Sequence, residues 1–392
     1  MTLLEKARAI GPELVKTRRD IHAHPELSFQ ENRTAGLVAD RLRKLGYDVR
    51  TGIAVTGCIG ELVTGPGRTV ALRADMDALP IQEANEVPYR SQRDGVMHAC
   101  GHDAHVACLL GAARLLAEAA SRGELPKGRI RLLFQPSEET TDAENKSGAR
   151  RLIEEGAMEG VDAVIGLHVA AEAPVGEVLL REGLMMAGND TLRGVVEGVG
   201  AHAALPHEGL DAVLLAAHVV QAAHSIVSRR IDPLASAVIT FGKIEGGTAE
   251  NIVASAVHLE GTLRYFERDV RQRLHAELRR AFAVADALGG TGRLEISEGY
   301  PPLVNDGDLT ALVRAAASEI GEPSVASADM IMGAEDFAFL GQEAPGCFFW
   351  LGAGIDDDPR NHHSPRFDID ERCLPVGAAV LAAAAGKVLV EP

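Results

Sequence analysis

The order of helical and strand-like segments is the feature that most constrains the fold of this chain. Over the first 180 residues, segments of helical periodicity alternate with short apolar runs such as "RTVALRAD", "GRIRLLFQ" and "DAVIGLHV". These runs end in or beside polar residues. The pattern predicts an open α/β sheet, in which active sites lie beyond the ends of the strands.

The pattern changes near residue 184. From there to about residue 299 the order of segments is β-α-β-β-α-β, which is typical of a ferredoxin-like unit, and the α/β pattern then resumes. The chain of 392 residues is also too long for one ordinary core. We therefore predict a discontinuous α/β domain, residues 1–183 and 300–392, that carries an inserted α+β lid over residues 184–299.

The composition limits the classes of partner. The net charge of −17 repels phosphate backbones and anionic lipids, so we expect neither nucleic acid nor a membrane surface as a partner. The N-terminal segment has no apolar signal core, and the C-terminal run "PVGAAVLAAAAGKVLVEP" is interrupted by Lys387, which favours a core helix. A cytoplasmic location is the resulting expectation. Five scattered cysteines do not form a disulfide framework.

Polar side chains collect at the predicted strand ends and in the stretch "VMHACGHDAH". A folded sheet could bring them together. The set consists of Asp75, Asp77, Cys100, His102, Asp103, His105, Glu138, Glu139, His168, His362 and His363.

A metal site is one interpretation of this set. Thiolate, imidazole and carboxylate ligands suit Zn²⁺, Mn²⁺, Co²⁺ or Ni²⁺, and more ligands are present than one tetrahedral ion with an open position can take. Two ions that share a ligand fit the count better. The alternatives are a structural zinc, or polar loops with satisfied hydrogen bonds. A third is nucleophilic catalysis by Cys100 with His98 or His102, which leaves the glutamates without a role.

Two further groups have both a functional and a structural interpretation. The adjacent carboxylates of Glu138 and Glu139 repel each other unless a cation or proton compensates, although a solvated acidic turn is a common alternative. In the predicted lid, His202 lies in a turn of small residues that leaves room for a ligand, and a lone histidine is often structural. Asn251 lies at a loop end, and Arg264 in a strand could clamp a carboxylate.

Several stretches, in this order, resemble one known family. They are "ALRADMDALPIQE", "MHACGHDAH", "LLFQPSEE", "GLHV", "GAHAALPHEGLDAV", "AENIVASAVHLEGTLRYF", "GAEDFAF" and "NHHSPRF". Together they are similar to the aminoacylase and hippurate hydrolase branch of metallopeptidase family twenty. That branch includes N-acyl-amino-acid amidohydrolases, auxin-conjugate hydrolases and carboxypeptidases. The resemblance covers the chain from about His22 to the C-terminus.

The resemblance implies a catalytic α/β domain that binds two divalent metal ions per subunit, with Cys100 as the bridging ligand. It implies Glu138 as the general base and Asp77 as the aspartate that supports the site, with Asp103 as a rival for that supporting role. The implied metal ligands are Cys100, His102, Glu139, His168 and His363.

For the inserted domain, the resemblance implies a dimerisation role. His202 is then supplied to the site of the neighbouring subunit in a homodimer or dimer-based oligomer. Asn251 and Arg264 match positions that contact the main-chain-like end and the carboxylate of the substrate. The expected substrate is a small N-acyl amino acid or a short peptide.

The chain departs from the family pattern at two places. The segment after the glutamates, "TTDAENKSGAR", is more polar and charged than the glycine-rich segment of many relatives. The last motif reads "NHH" where an apolar residue often precedes the histidine, so His362 competes with His363 as a ligand. The resemblance predicts an aminoacylase, with a metallocarboxypeptidase as the alternative and a catalytically silent metal-binding protein as a further one.

Overall fold

The computed structural model describes residues 1–321, 324–355 and 358–390. The chain divides into two compact units, each described separately below. The first contains residues 1–185, 304–329 and those from 336 onward. The second contains residues 186–303 and 330–335.

The helices alternate with strands through most of the first unit, as the sequence pattern predicts. Short 3₁₀ turns occur at Pro206–Glu208 and Glu371–Cys373. In the described parts of the chain the helices are α1 (Leu3–Ala9), α2 (Gly11–Ala23), α3 (Asn32–Lys44), α4 (His102–Ser121), α5 (Gly148–Glu154), α6 (Ala212–Arg230), α7 (Arg268–Ala287), α8 (Gly307–Glu319), α9 (Phe337–Glu343) and α10 (Leu374–Val388).

The strands form one sheet in each unit, together with a short additional pairing. Their bounds are β1 (Asp48–Ile53), β2 (Gly57–Val63), β3 (Thr69–Asp75), β4 (Arg129–Gln135), β5 (Ala163–Ala170), β6 (Val178–Leu180), β7 (Gly183–Met186), β8 (Gly188–Glu197), β9 (Ala237–Gly246), β10 (Ala256–Tyr265), β11 (Thr291–Glu298), β12 (Leu303–Asn305), β13 (Val325–Ser327) and β14 (Gly346–Gly352).

The first unit is built on an eight-stranded sheet in the order β1-β2-β4-β3-β5-β14-β6-β13. Strand β3 pairs in parallel with β4 and β5, and β14 pairs in parallel with β5. The carboxyl ends of these four strands therefore meet at the same edge of the sheet, where ligands bind in open α/β folds. The predicted α/β class with a central sheet is confirmed.

The central strands are buried along their whole length. Every residue of β3 and β5 is buried, as expected for strands with apolar cover on both faces. The C-terminal run predicted as a core helix is α10, which packs against α4 in the main hydrophobic core. This packing anchors α4, whose first turn belongs to the polar cluster.

Two helices, α4 and α6, are by length and composition alone apolar enough to cross a membrane. Neither helix is an uninterrupted apolar run in the sequence, since both contain charged residues or histidines. Most of α4 is buried inside its unit, and core helices of soluble proteins pass the same test. The finding is therefore weak as an indication of a membrane segment.

The second unit has a sheet of four antiparallel strands in the order β11-β8-β10-β9 with helices α6 and α7. Its chain order is β-α-β-β-α-β. It includes residues 330–335, which the sequence analysis assigned to the other domain. The reason is tertiary, since Met186 and Ile331 form a bridge and Arg264 Nη1 donates a hydrogen bond to the carbonyl of Met332 at 2.8 Å.

Candidate metal centre

The five residues predicted as metal ligands all lie in the first unit, at or near the carboxyl edge of the sheet. Cys100 precedes α4, and His102 is its first residue. Glu139 follows β4, His168 lies in β5, and His363 lies in the loop before α10. Gly101 joins the first two with φ +88°, and a Cβ atom there would collide with Val169. Glycine is therefore required for the tight entry into the helix.

The structure brings these five side chains together. Cys100 Sγ lies 3.4 Å from His168 Nε2, and His363 Nε2 lies 3.1 Å from Glu139 Oε1. Ligand atoms of Cys100, Glu139 and His363 lie within 4.8 Å of one another, and so do those of Glu139, Glu138 and His102. Cys100 links His168 to the first group, and Glu139 joins the two groups. The five predicted ligands therefore form one continuous set of donors, called the metal cluster below, with Glu138 beside it.

Two atoms of the metal cluster are buried without a hydrogen bond from the described residues. They are His102 Nε2, which lies 3.5 Å from Asp75 Oδ2, and Glu139 Oε1, beside His363. Buried polar atoms are seldom left without a partner, so each such atom needs an explanation. A bound cation would satisfy both, and the imidazole and carboxylate donors are of the types that bind Zn²⁺ or Mn²⁺.

The electrostatics of the metal cluster also suit a bound cation. Burial opposes the charge of His102, but the carboxylates of Asp75, Asp77 and Glu139 outweigh it and raise the pKa of His102 to about 10. Burial and the negative charges of Glu139 and Glu138 raise the pKa of the Cys100 thiol well above its usual value. Cations in the cluster would reverse both effects.

The cysteine-nucleophile interpretation is weakened by the same surroundings. A reactive cysteine needs positive neighbours that lower its pKa, and Cys100 has carboxylates instead. Burial lowers the pKa of His98 to about 4. Neither ring nitrogen of His98 has a hydrogen-bond partner among the residues that the structure describes, so His98 does not form the required pair with Cys100.

Asp77 holds two members of the metal cluster in position. Its Oδ1 lies 3.1 Å from His102 Nδ1, and its Oδ2 accepts hydrogen bonds from the backbone amide of Glu139 at 3.0 Å and from Ser28 Oγ at 2.7 Å. Burial opposes the charge of Asp77, yet the bond to His102 lowers its pKa below the usual value. Such a carboxylate orients the imidazole so that Nε2 faces the cluster.

Asp103, the rival for the supporting role, has different partners. Its Oδ2 lies 2.8 Å from Arg18 Nε and 2.8 Å from His22 Nδ1, and all three side chains are fully buried. Asp103 therefore belongs to a charged network around α2. The physical reason is helical geometry, because consecutive residues such as His102 and Asp103 project about 100° apart around α4.

Glu138 is placed by an unusual backbone conformation. Ser137, the residue before it, has φ +45°, and its amide donates a hydrogen bond of 3.0 Å to the buried carboxylate of Glu31. Burial raises the pKa of Glu31 to about 7, with a contribution from the charge of Asp77. Glu138 is 7 % exposed. Its carboxylate lies within 4.8 Å of the Glu139 carboxylate and of the His102 imidazole.

Asp75 and His105 have roles that the sequence analysis did not assign. Asp75 Oδ1 lies 2.5 Å from His105 Nδ1, and Arg73 donates a hydrogen bond to Asp75 at 2.7 Å. The other ring nitrogen of His105 accepts from the amide of Val169 at 3.0 Å, next to His168. His105 follows His102 by three residues, so both lie on one face of α4. This spacing was the sequence signal that could have assigned His105 to the site.

His362 lies beside the metal cluster. Its Nδ1 lies 3.8 Å from Cys100 Sγ, and ligand atoms of His362, Cys100 and His168 lie within 4.8 Å of one another. The sequence predicts that His362 competes with His363 as a ligand. In the structure His363 approaches Glu139, whereas His362 approaches Cys100 and His168.

The three residues predicted in the lid all lie in the second unit. His202 is exposed, and its Nδ1 accepts a hydrogen bond from the Ala204 amide at 3.0 Å. The carbonyl of Asn251 accepts from Ala203 at 3.0 Å, so the two loops lie side by side. Arg264 is half-buried, and burial lowers the pKa of its guanidinium. Its bond to Met332 is described above.

The sequence and the fold are similar to those of known hydrolases. A family model described as "Peptidase family M20/M25/M40" matches residues 71–387. The chain belongs to peptidase family M20. N-acetyl-L-cysteine deacetylase of Bacillus subtilis is 40% identical over 399 residues, with 99% of this chain and 92% of that protein covered. Thermostable carboxypeptidase 2 of Saccharolobus solfataricus is 39% identical over 397 residues, with 99% of each covered.

A solved structure gives the same result. A Bacillus subtilis protein described as a dinuclear metal-binding peptidase of family M20 superposes with a TM-score of 0.83 at 32% identity, covering 97% of this chain and 99% of that chain. The predicted family and the prediction of a hydrolase are confirmed. M20 membership together with the ligand clusters supports a dinuclear metal centre in this chain.

Proposed function

We propose that this M20 hydrolase is an aminoacylase that cleaves the amide bond of N-acyl-L-amino acids. The observation that carries the proposal is the convergence of the metal cluster with Glu138 at one edge of the sheet. The name of the deacetylase relative supports the same class of substrate. A metallocarboxypeptidase acting on short peptides is the second candidate, which the name of the other relative favours.

We propose that the metal cluster holds two divalent cations, with Zn²⁺, Mn²⁺, Co²⁺ and Ni²⁺ as the candidates. When bound, such cations polarise a carbonyl and lower the pKa of a water molecule toward neutrality. Cys100 is proposed to bridge them because its Sγ takes part in two of the donor groups. The remaining ligands are proposed to be His102, Glu139, His168 and His363.

Glu138 is proposed as the general base. Its carboxylate lies beside the cluster, and a carboxylate in that position can accept the proton of the attacking water and return it to the departing amine. The hydrogen bond from the Ser137 amide to Glu31 fixes the backbone immediately before Glu138 and Glu139. Asp77 keeps His102 and Glu139 in place throughout, since it bonds to both.

The second unit is proposed to bind the substrate and to form the homodimer. Arg264, a half-buried cation, suits a free carboxylate, and Asn251 is proposed to contact the main-chain-like end. His202, which is exposed, is proposed to stabilise the developing oxyanion in the partner's site. Mixing inactive His202→Ala chains with inactive Glu138→Gln chains should then restore activity. The absence of recovery in verified mixed dimers would rule out shared sites.

A substrate panel tests the proposed reaction. The metal-free protein is loaded with each candidate ion and assayed with N-acetyl and N-benzoyl amino acids, dipeptides and matched neutral amides. An aminoacylase should release amino acid from the N-acyl compounds faster than from dipeptides and should act poorly on the neutral amides. A reversed order between acyl compounds and dipeptides would favour the carboxypeptidase. No turnover with any ion would refute both.

A further inference from the structure

We propose that His362 is itself a metal ligand, and that it completes one cation position with Cys100 and His168. The neighbouring His363 then serves the other position with Glu139. The proposal rests on the proposed function, because it requires that the metal cluster binds a pair of cations. It adds a sixth residue to the five ligands proposed above and gives each of two consecutive histidines a separate ion.

The distances within this group match those of a preformed site. Cys100 Sγ lies 3.4 Å from His168 Nε2 and 3.8 Å from His362 Nδ1, and all three atoms lie within 4.8 Å of one another. Donors about 2.0–2.3 Å from a tetrahedral Zn²⁺ lie roughly 3.3–3.8 Å apart. The Cys100–His168 and Cys100–His362 distances both fall in that range. The third distance, between the ligand nitrogens of His168 and His362, is at most 4.8 Å.

The backbone explains how adjacent residues reach different ions. His363 has φ +59°, a left-handed conformation, and its amide donates a hydrogen bond of 2.8 Å to the carbonyl of Ala99. This bond fixes the loop beside Cys100. The His363 imidazole meets Glu139 at 3.1 Å, whereas the ring of His362 lies 5.2 Å from the ring of His168. A left-handed residue held there requires support from its surroundings.

The ring of His362 is held by its neighbours. It packs on Phe367 with ring centroids 4.9 Å apart, and its side chain is 25 % exposed, compared with 53 % for that of His363. The Ala171 amide lies 3.5 Å from Nε2, at the outer limit of a hydrogen bond. Coordination through Nδ1 requires the ring proton on Nε2, in place of this weak contact with the Ala171 amide. The Glu172 carboxylate, 3.9 Å from Nε2, favours the protonated nitrogen by its charge.

The imidazole of His168 is oriented by a hydrogen bond to the backbone. Its Nδ1 donates a hydrogen bond of 2.7 Å to the Val169 carbonyl, which leaves the lone pair of Nε2 facing Cys100. The resulting position has one sulfur and two nitrogen donors. The other position, with Glu139 and His363, contains carboxylate oxygen. The two positions therefore differ in softness, and we expect them to bind a given ion with different affinities.

The test is a Co²⁺ titration of the metal-free protein, followed by visible absorption and by metal analysis, with no assay of activity. The wild type should bind two ions. His362→Phe, which keeps an aromatic ring against Phe367, should bind one ion with unchanged affinity and the other at least about 100-fold more weakly, since even the loss of an outer partner costs 10- to 100-fold. His258→Phe removes an exposed histidine of the second unit and should change neither affinity.

A second substitution guards against a folding defect. His362→Glu restores a donor, and it should recover the second ion with a preference shifted from Co²⁺ toward Mn²⁺. Two unchanged affinities and an unchanged spectrum in His362→Phe would overturn the assignment of His362 and leave the proposed function intact. A wild type that binds no pair of ions would overturn the proposed function as well. The two failures are therefore distinguishable.

Discussion

Two buried polar regions of the first unit meet at the start of α4 and differ in how their charges are balanced. One is the metal cluster. The other, called the α2 network here, consists of Arg18, His22, Asp103 and Asp368. Within it, Arg18 lies 2.8 Å from both Asp103 and Asp368, so anions face a fixed cation. In the metal cluster, the described contacts of Glu139 and Cys100 are with the imidazoles of His363 and His168.

This difference separates a structural region from a functional one. The α2 network carries its own counter-charge, and the low pKa of Asp103, held down by Arg18 and His22 against burial, shows that its ionised form is stabilised. The metal cluster instead raises the pKa values of Cys100 and His102. Ligands such as these must lose their protons when a metal ion binds. Adjacent residues, His102 and Asp103, thus belong to opposite kinds of site.

The largest effect is expected for Glu138→Gln. The glutamine keeps the shape of the side chain but cannot accept a proton, so turnover should fall by roughly 10³-fold while both ions remain bound. Steady-state kinetics and metal analysis of the same preparation would measure the two quantities. Full activity in a metal-loaded variant would remove Glu138 from the role of base. A loss of one ion would instead place Glu138 among the ligands.

Most of the metal cluster could be predicted from local sequence. Donors at the ends of neighbouring parallel strands must share one edge of the sheet. That reasoning singled out Cys100, His168 and the glutamates without knowledge of the fold. It could not separate Asp77 from Asp103, since one follows a central strand and the other lies in the first turn of α4, and both are carboxylates at the same edge of the sheet. Their partners, His102 on one side and Arg18 on the other, are distant along the chain.

The remaining contacts depend on tertiary packing in the same way. Asp75 meets His105 thirty residues away, and His105 meets Val169 sixty-four residues away. The spacing of His105 from His102 marks His105 as a candidate, but no sequence pattern identifies these two distant partners. Residues 330–335 belong to the second unit for a similar reason, because Arg264 and Met332 meet only in the folded chain. Local patterns predict which residues lie at a site edge, and packing decides which of them orient the others.

A matched pair of substitutions, Asp103→Asn and Asp77→Asn, gives smaller effects and tests the comparison directly. Asp103→Asn leaves Arg18 and His22 with less counter-charge in a buried place, and should lower the free energy of unfolding by about 3–5 kcal/mol. Asp77→Asn loses the carboxylate that orients His102, and should weaken metal binding by about 10- to 100-fold with a smaller effect on stability. Each variant is the control for the other.

Urea unfolding of the metal-free protein, followed by the fluorescence of Trp350, the single tryptophan and a residue of β14, reports on the first unit. The low pKa of Asp103 sets the pH dependence. Its stabilisation is present above the unfolded pKa of 3.8 and is lost as the pH falls below it, so the difference between wild type and Asp103→Asn should shrink below about pH 4. If Asp103→Asn instead weakened metal binding as much as Asp77→Asn does, the two regions would be one electrostatic unit, and their separation would have to be abandoned.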